Sequence, residues 1–213
     1  MVRPKVNYKY ILIGGGGHAL RVFSSLNKNQ KKNLLGYVDI SKTKLNLKYL
    51  GDDKKFLKIF YSKKNIKLIM GIGIDIKLRD LLFKKYKNYL FDKVIDKSAL
   101  IMDSVIEDGA VILSNCFIGP KTFIGKNTII YTGSIIEHDS KIGENTYIGP
   151  GVLVCGGTKI GKNSFLGAKS CILENLKLSD SCKIGAYSLV NRSILKPNQF
   201  YIGIPAKKNE FRK

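Results

Sequence analysis

The chain has 213 residues, 44% of them hydrophobic and 25% charged, which suits one large domain or two small ones with a real core. Its 37 Lys and Arg against 16 Asp and Glu leave a formal charge of +21 at pH 7. The lysines are scattered, as in KKN, SKK and PAKK, with no basic block interleaved with aromatics, so the charge points away from a nucleic-acid surface and towards drawing in small anionic ligands.

The N-terminus, MVRPKVNYKYILIGGGGHAL, lacks the apolar core and cleavage site of a secretory signal, and no apolar run approaches the ~20 residues that span a bilayer. A cytoplasmic protein without a membrane span is expected. In KYILIGGGGHALRVFSSL we read a buried strand, a glycine loop and an amphipathic helix with apolar Leu20, Val22, Phe23 and Leu26. LLGYVDI is a second strand ending in Asp39, and KLIMGIGI a third, followed by the helix IKLRDLLFKKY. This alternation predicts a small parallel sheet with its loops at the carboxyl edge. The loop from Gly14 to Ala19 reads G-x-G-x-x-A, and Asp39 follows 20 residues after Ala19. Glycines there let a phosphate approach backbone N–H groups at a helix N-terminus. About three strands make only half a dinucleotide crevice, so a nucleotide mono- or diphosphate head is the proportionate guest. A tight strand-to-helix turn that binds nothing is the other reading.

From Val105 the sequence divides into sixes, beginning VIEDGA VILSNC FIGPKT FIGKNT, and the second residue of fifteen consecutive blocks is aliphatic, from Ile106 to Val190. The sixth is usually small, as at Ala110, Thr122, Ser134 and Ser164. A period of six fits neither a helix nor an isolated strand. It fits short parallel strands, three to a coil, with aliphatics stacked inside. The tail leaves this frame at Pro197, where GIPAKK is turn-like and basic. We therefore expect domains at 1–96 and 97–195, with a cap over 196–213. The four cysteines, Cys116, Cys155, Cys171 and Cys182, form no CxxC pair, and two histidines do not support a zinc site; reduced thiols and no metal are expected.

Taken together, the glycine–histidine loop, the hexapeptides, IEHDS and GIPAK resemble the NeuD/PglD-type sugar O- and N-acetyltransferases over nearly the whole chain. The resemblance implies an α/β, Rossmann-like N-terminal subdomain that holds a nucleotide sugar, followed by a left-handed parallel β-helix. It also implies a homotrimer that moves acetyl from acetyl-CoA to the amine of a UDP-amino sugar or GDP-perosamine, or to a sialic-acid hydroxyl, for bacterial glycan, lipopolysaccharide or capsule assembly. By the same resemblance His138 is the general base, Asp139 its supporting acid and Gly156 the backbone donor facing the thioester oxygen. Ala168 and Ala186 line the CoA arm, and Lys207 and Lys208 lie near a ligand phosphate. Gly16, Gly17, His18, Asp39, Ile40 and Gly73 are expected at the nucleotide sugar. Three departures stand out: Ile40 replaces a second acid, Tyr147 replaces a histidine that contacts acetyl-CoA, and Gly73 to Arg79 is one residue longer than the usual spacing. A phenol is no base at neutral pH, so Tyr147 is expected only as a ligand contact.

The repeat gives an independent check. Ile136 points inward, so His138 stands at an exposed corner, and Gly156, 18 residues on, lies one coil above it. A base and a backbone donor ~5 Å apart suit an attacking nucleophile and a developing oxyanion. Ala168 and Ala186 share a different corner. Three prisms around a threefold axis would bring the two corners together and place active sites between subunits. No nucleophilic residue is required, and Cys155, beside Gly156, is the one side chain that could argue for a covalent route. A γ-type carbonic anhydrase fails for want of three histidines. An ice-binding or scaffold β-helix fails for want of regular outward threonine ladders. A nucleotide-sugar-binding protein without catalysis remains an alternative.

Overall fold

The computed structural model describes residues 7–60 and 65–209. The first residues, on which the reading of an absent export signal partly rests, and 210–213, the end of the predicted cap, lie outside the described residues. The N-terminal part is a parallel sheet of β1 (Lys9–Ile13), β2 (Leu34–Val38), β3 (Ile66–Met70) and β4 (Leu90–Phe91), ordered β2-β1-β3-β4. The sequence reading counted three strands; β4 has only two residues and no periodicity to announce it. Helix α1 (Gly17–Ser25) follows β1 and α4 (Ile76–Lys85) follows β3, as expected. Two further helices were not foreseen. α2 (Lys28–Lys32), KNQKK, has no apolar stripe and is held by a capping box between Asn27 and Gln30, while α3 (Asp53–Phe60) buries Phe56 and Phe60.

The sheet is covered on both faces, which is why its strands read as continuous apolar runs: Ile11, Leu12, Ile13, Leu68, Ile69 and Met70 are all buried. Of the predicted apolar positions on α1, Val22 and Leu26 are buried, but Leu20 is exposed, because Ala19 takes the inward place.

The rest of the chain is a left-handed parallel β-helix of about six turns. It begins at Val94–Ile95, and its two-residue strands stack into three faces. The first face carries Ile129–Ile130, Tyr147–Ile148 and Phe165–Leu166, the second Ile135–Ile136, Leu153–Val154 and Cys171–Ile172, and the third Lys141–Ile142, Lys159–Ile160 and Lys177–Leu178. Strands pair in parallel one coil apart, as Ile124 with Ile142 and Ile142 with Ile160. The inward residues form one apolar column from Ile112 to Ile194. At ~1.5–3 kcal/mol per buried aliphatic side chain this column is the main source of stability.

The corners explain the rest of the hexapeptide. The fifth position adopts a left-handed backbone, with φ between 54° and 58° at Asn115, Lys121, Asn127, Asp139, Asn145 and Asn163 among others, so asparagine and glycine recur there. The sixth is small because its hydroxyl reaches a carbonyl 15 residues on. Thr128 Oγ1 donates to Gly143 O at 2.9 Å and Ser134 Oγ to Gly149 O at 2.8 Å. At the far end, Phe200–Ile202 adds in parallel to Lys183–Ile184, and Lys207–Lys208 folds back antiparallel upon it. The N-terminal sheet and α1 pack on the first face, where Tyr10 and Val22 share a cluster with Val111, Leu113 and Ile129.

Candidate active site

His138 and Asp139 occupy the corner between the second and third faces. His138 Nδ1 lies 2.8 Å from Asp139 Oδ2, and both side chains are more than half exposed, at 60% and 54%. The left-handed backbone of Asp139, φ 56°, turns its carboxylate back towards the preceding ring. With Nδ1–H donating to the carboxylate, Nε2 keeps its lone pair and faces out of the prism. One coil above, the imidazole lies against Gly156: a Cβ there would come within 2.7 Å of His138 Nε2. Around Gly156 the ladder bonds come from Cys155 N–H to Ile172 O and from Gly157 N–H to His138 O, both 2.9 Å. A base and a glycine backbone thus share one edge. Cys155 is partly buried, and burial, then its Cys171 neighbour, pushes its thiol above the usual range, which disfavours a thiolate nucleophile.

The glycine loop divides into two parts. Gly16 and Gly17 are exposed at the N-terminus of α1, and a Cβ on either would meet nothing within 4 Å. Gly16 is the N-cap and has no side-chain cap, so the first-turn N–H groups face open space, as an anion site requires. Asp39 is engaged within the protein, with its carboxylate accepting from Gly15 N–H at 2.7 Å and Ile40 N–H at 2.6 Å. It therefore shapes the loop, and Ile40, 92% exposed, is the freer of the two.

Three residues expected to contact ligands are engaged within the protein. His18 turns away from the loop opening, and its Nδ1 lies 2.7 Å from the Tyr131 hydroxyl on the β-helix. Burial, with Arg79 and Arg21 adding to it, lowers its pKa to about 4. Gly73 is buried, with the place of its Cβ 3.0 Å from both His18 Cβ and the Tyr131 hydroxyl, and it has no surface to offer a sugar. Tyr147 is buried at 7% exposure, stacked on Phe165 with ring centroids 4.9 Å apart and against Tyr131 at 5.1 Å. It stands on the first face, half a coil from His138, so one chain does not bring the two together.

Ala168 is partly exposed and Ala186 exposed, stacked one coil apart at the corner between the first and second faces. Ala186 also borders a groove of ≈ 1380 Å³ between the first face, the start of α4 and the terminal hairpin. Phe165, Lys183, Phe200 and Lys208 line it, whereas Lys207 is exposed on the outer strand and His138 lies on another edge. Sequence reasoning passed over Tyr131, Phe165, Lys183 and Phe200. Phe165 and Lys183 are marked only as an aromatic and a lysine at outward positions of the first face, while Tyr131, at a corner, and Phe200, past the end of the repeat, carry no such mark. Among the described residues no group of three or more His, Cys, Asp or Glu is placed to hold a metal ion, and no helix is long and apolar enough to cross a membrane.

The profile of the PglD N-terminal domain matches residues 9–86, that of the bacterial transferase hexapeptide (six repeats) residues 121–156, and that of the hexapeptide repeat of succinyl-transferase residues 157–189. A search of curated protein sequences finds no match. Among solved structures, the chain is similar to a histidine-to-alanine mutant of GDP-perosamine N-acetyl transferase from Caulobacter crescentus, in complex with CoA and GDP-perosamine. The TM-score is 0.87 at 27% identity, over 94% of this chain and 96% of that one. PerB from the same organism, with the same two ligands, gives 0.86 at 27% identity over 94% and 97%. The acetyltransferase domain of PglB from Neisseria gonorrhoeae, in complex with acetyl coenzyme A, shares the fold at TM-score 0.86 and 18% identity over 95% and 100%.

Proposed function

We propose that this chain, which belongs to the NeuD/PglD-type sugar acetyltransferases by its PglD N-terminal domain and hexapeptide repeats, moves acetyl from acetyl-CoA to the amine of a nucleotide-linked amino sugar. The observation that carries the reading is the His138 imidazole, oriented by Asp139 and lying against Gly156 on one exposed edge. The Caulobacter crescentus neighbour with CoA and GDP-perosamine bound supports the same choice of substrates.

As the sugar amine attacks the thioester carbonyl carbon, His138 Nε2 accepts the amine proton, and Asp139 stabilises the imidazolium through Nδ1. The Gly156 N–H donates to the carbonyl oxygen as it gains charge. When the C–S bond breaks, the imidazolium returns its proton to the departing thiolate. The open N–H groups at Gly16 and Gly17 take the phosphate end of the acceptor.

The site is proposed to form between three copies of the chain. The outward residues of the second face, Leu100, Phe117, Ile135, Leu153, Cys171 and Leu189, make an exposed to half-buried apolar stripe that no element among the described residues packs over. The His138–Gly156 edge borders this face on one side and the Ala168–Ala186 edge on the other. Turning the stripe towards a threefold axis buries it and sets each His138 edge against a neighbour's alanine edge. The pantetheine arm of acetyl-CoA fits that seam.

The test is thiol release from acetyl-CoA against UDP- and GDP-linked 4-amino sugars and free sialic acids, with His138→Ala beside the wild type. Turnover on an amino sugar, falling ~10²–10⁴-fold in the variant, supports the reading. Turnover confined to sialic acids moves it to O-acetylation. Turnover indifferent to the substitution removes His138 from the role of base, and no turnover on any acceptor leaves a binding protein.

A further inference from the structure

Arg79 is the largest fully buried side chain among the described residues and has no carboxylate partner. It leaves α4 and donates only to backbone carbonyls: Nη1 to Gly73 O at 3.1 Å, Nη2 to Asn127 O at 2.6 Å and, more weakly, to Thr146 O at 3.4 Å. Its Nε is buried without a partner. Desolvation lowers its pKa to about 10, so it remains a cation at neutral pH.

A buried guanidinium without a counter-ion is a costly way to fill space, since an apolar side chain of similar volume packs without desolvating a charge. What arginine adds is direction, because its planar fork fixes several acceptors at once. Those acceptors belong to two bodies. Asn127 and Thr146 lie on successive coils of the β-helix, whereas Gly73 lies in the loop after β3. Gly73 in turn packs against His18, the residue after the open glycines, and His18 meets Tyr131 on the β-helix. A second strut runs beside the first, from Asn145 Nδ2 to Ile76 O at 3.0 Å. Interfaces between domains of one chain are free to shift unless something locks them.

We infer that Arg79 is a positioning residue that locks the glycine loop at a fixed distance from the β-helix and so sets the length of acceptor whose amine reaches the catalytic edge. This rests on the nucleotide-sugar reading above. Arg79 acts through the loop and not by touching the sugar, since it has no exposed surface. The proposed acetyl-CoA arm lies in the seam between β-helix edges, which the glycine loop does not border, so its affinity should not depend on the lock.

Two readouts separate this inference from the reading it rests on. In steady-state kinetics on whichever nucleotide sugar the wild type uses, Arg79→Met should raise the acceptor KM about tenfold or more and leave the acetyl-CoA KM within twofold. Arg79→Lys, which keeps the charge but not the fork, should fall between. Asn145→Ala, which removes the second strut together with the ladder bonds to Asn127 and Asn163 and leaves the Arg79 fork in place, should shift the same KM in the same direction by less, and it serves where Arg79→Met fails to fold. Equal shifts in both KM values, or an unchanged acceptor KM in Arg79→Lys and Asn145→Ala, overturn the inference. Hydrogen exchange needs no substrate. The amides of Gly15 to His18 should exchange faster in the Arg79 variants while those of the β-helix coils do not change. Unchanged protection of that loop overturns the lock even where no acceptor has been found, whereas faster exchange without turnover on any sugar upholds the lock and counts against the transferase reading.

Discussion

A methyl group on Gly156 has no room, because the His138 ring lies where it would go. Gly156→Ala should push the imidazole aside and lower kcat by ~10², the usual effect of a 1 Å misplacement, with the unfolding midpoint nearly unchanged, since Gly156 is not in the left-handed region that only glycine tolerates. Comparing kcat with thermal unfolding checks this. His18 leads to a different kind of prediction. Its pKa is about 4 in the fold, against 6.5 for an unperturbed histidine. Between those values the unfolded chain binds a proton that the folded chain refuses, so stability rises with pH. It is lost as pH falls from about 6.5 towards 4, by about 3 kcal/mol. Urea unfolding at pH 7 and pH 4.5 should show the loss, and His18→Asn should flatten it. The grouping of His138, Asp139 and Gly156 was legible in the sequence because the six-residue frame fixes which residues share a corner. The engagement of His18, Gly73 and Tyr147 within the protein was not legible, for the opposite reason. Their surroundings depend on how the N-terminal domain docks on the first face, and no local period encodes that docking.

At the scale of elements, the β-helix was the most legible part, since each coil repeats one solution to the same packing problem. Ile142 touches the inward residues of the coils above and below it, so Ile142→Ala leaves a cavity that short, fully paired strands cannot collapse. It should cost 2–5 kcal/mol of unfolding free energy, measured by chemical denaturation. The sixth position taught less from sequence than from structure. That it is small was visible, but that Thr128 and Ser134 satisfy carbonyls 15 residues on was not, because the bond joins residues in different blocks. Of the elements missed, α2 and β4 are five and two residues long, too short for any periodicity to appear, whereas α3, eight residues long, marks its inward side only by Phe56 and Phe60.

For the whole molecule, a seam between subunits makes a prediction that a site within one chain does not. His138→Ala and Ala168→Arg should each be inactive alone, yet when co-expressed they should recover about a quarter of wild-type turnover, because one seam in four then joins an intact His138 edge to an intact alanine edge. No recovery would put both residues in the same subunit's site. If the stripe is the interface of the proposed trimer, sedimentation of Ile135→Lys should show a monomer where the wild type shows three copies, since that charge would fall within the apolar stripe. The reversed strand at the end of the β-helix bears on association of a different kind. A stack of parallel strands has no natural stopping point, and its bare end is the template on which a fibre grows. On the first face that end is closed by Lys207–Lys208, running the wrong way and carrying two like charges. The prisms are therefore expected not to join head to tail into rods through this face.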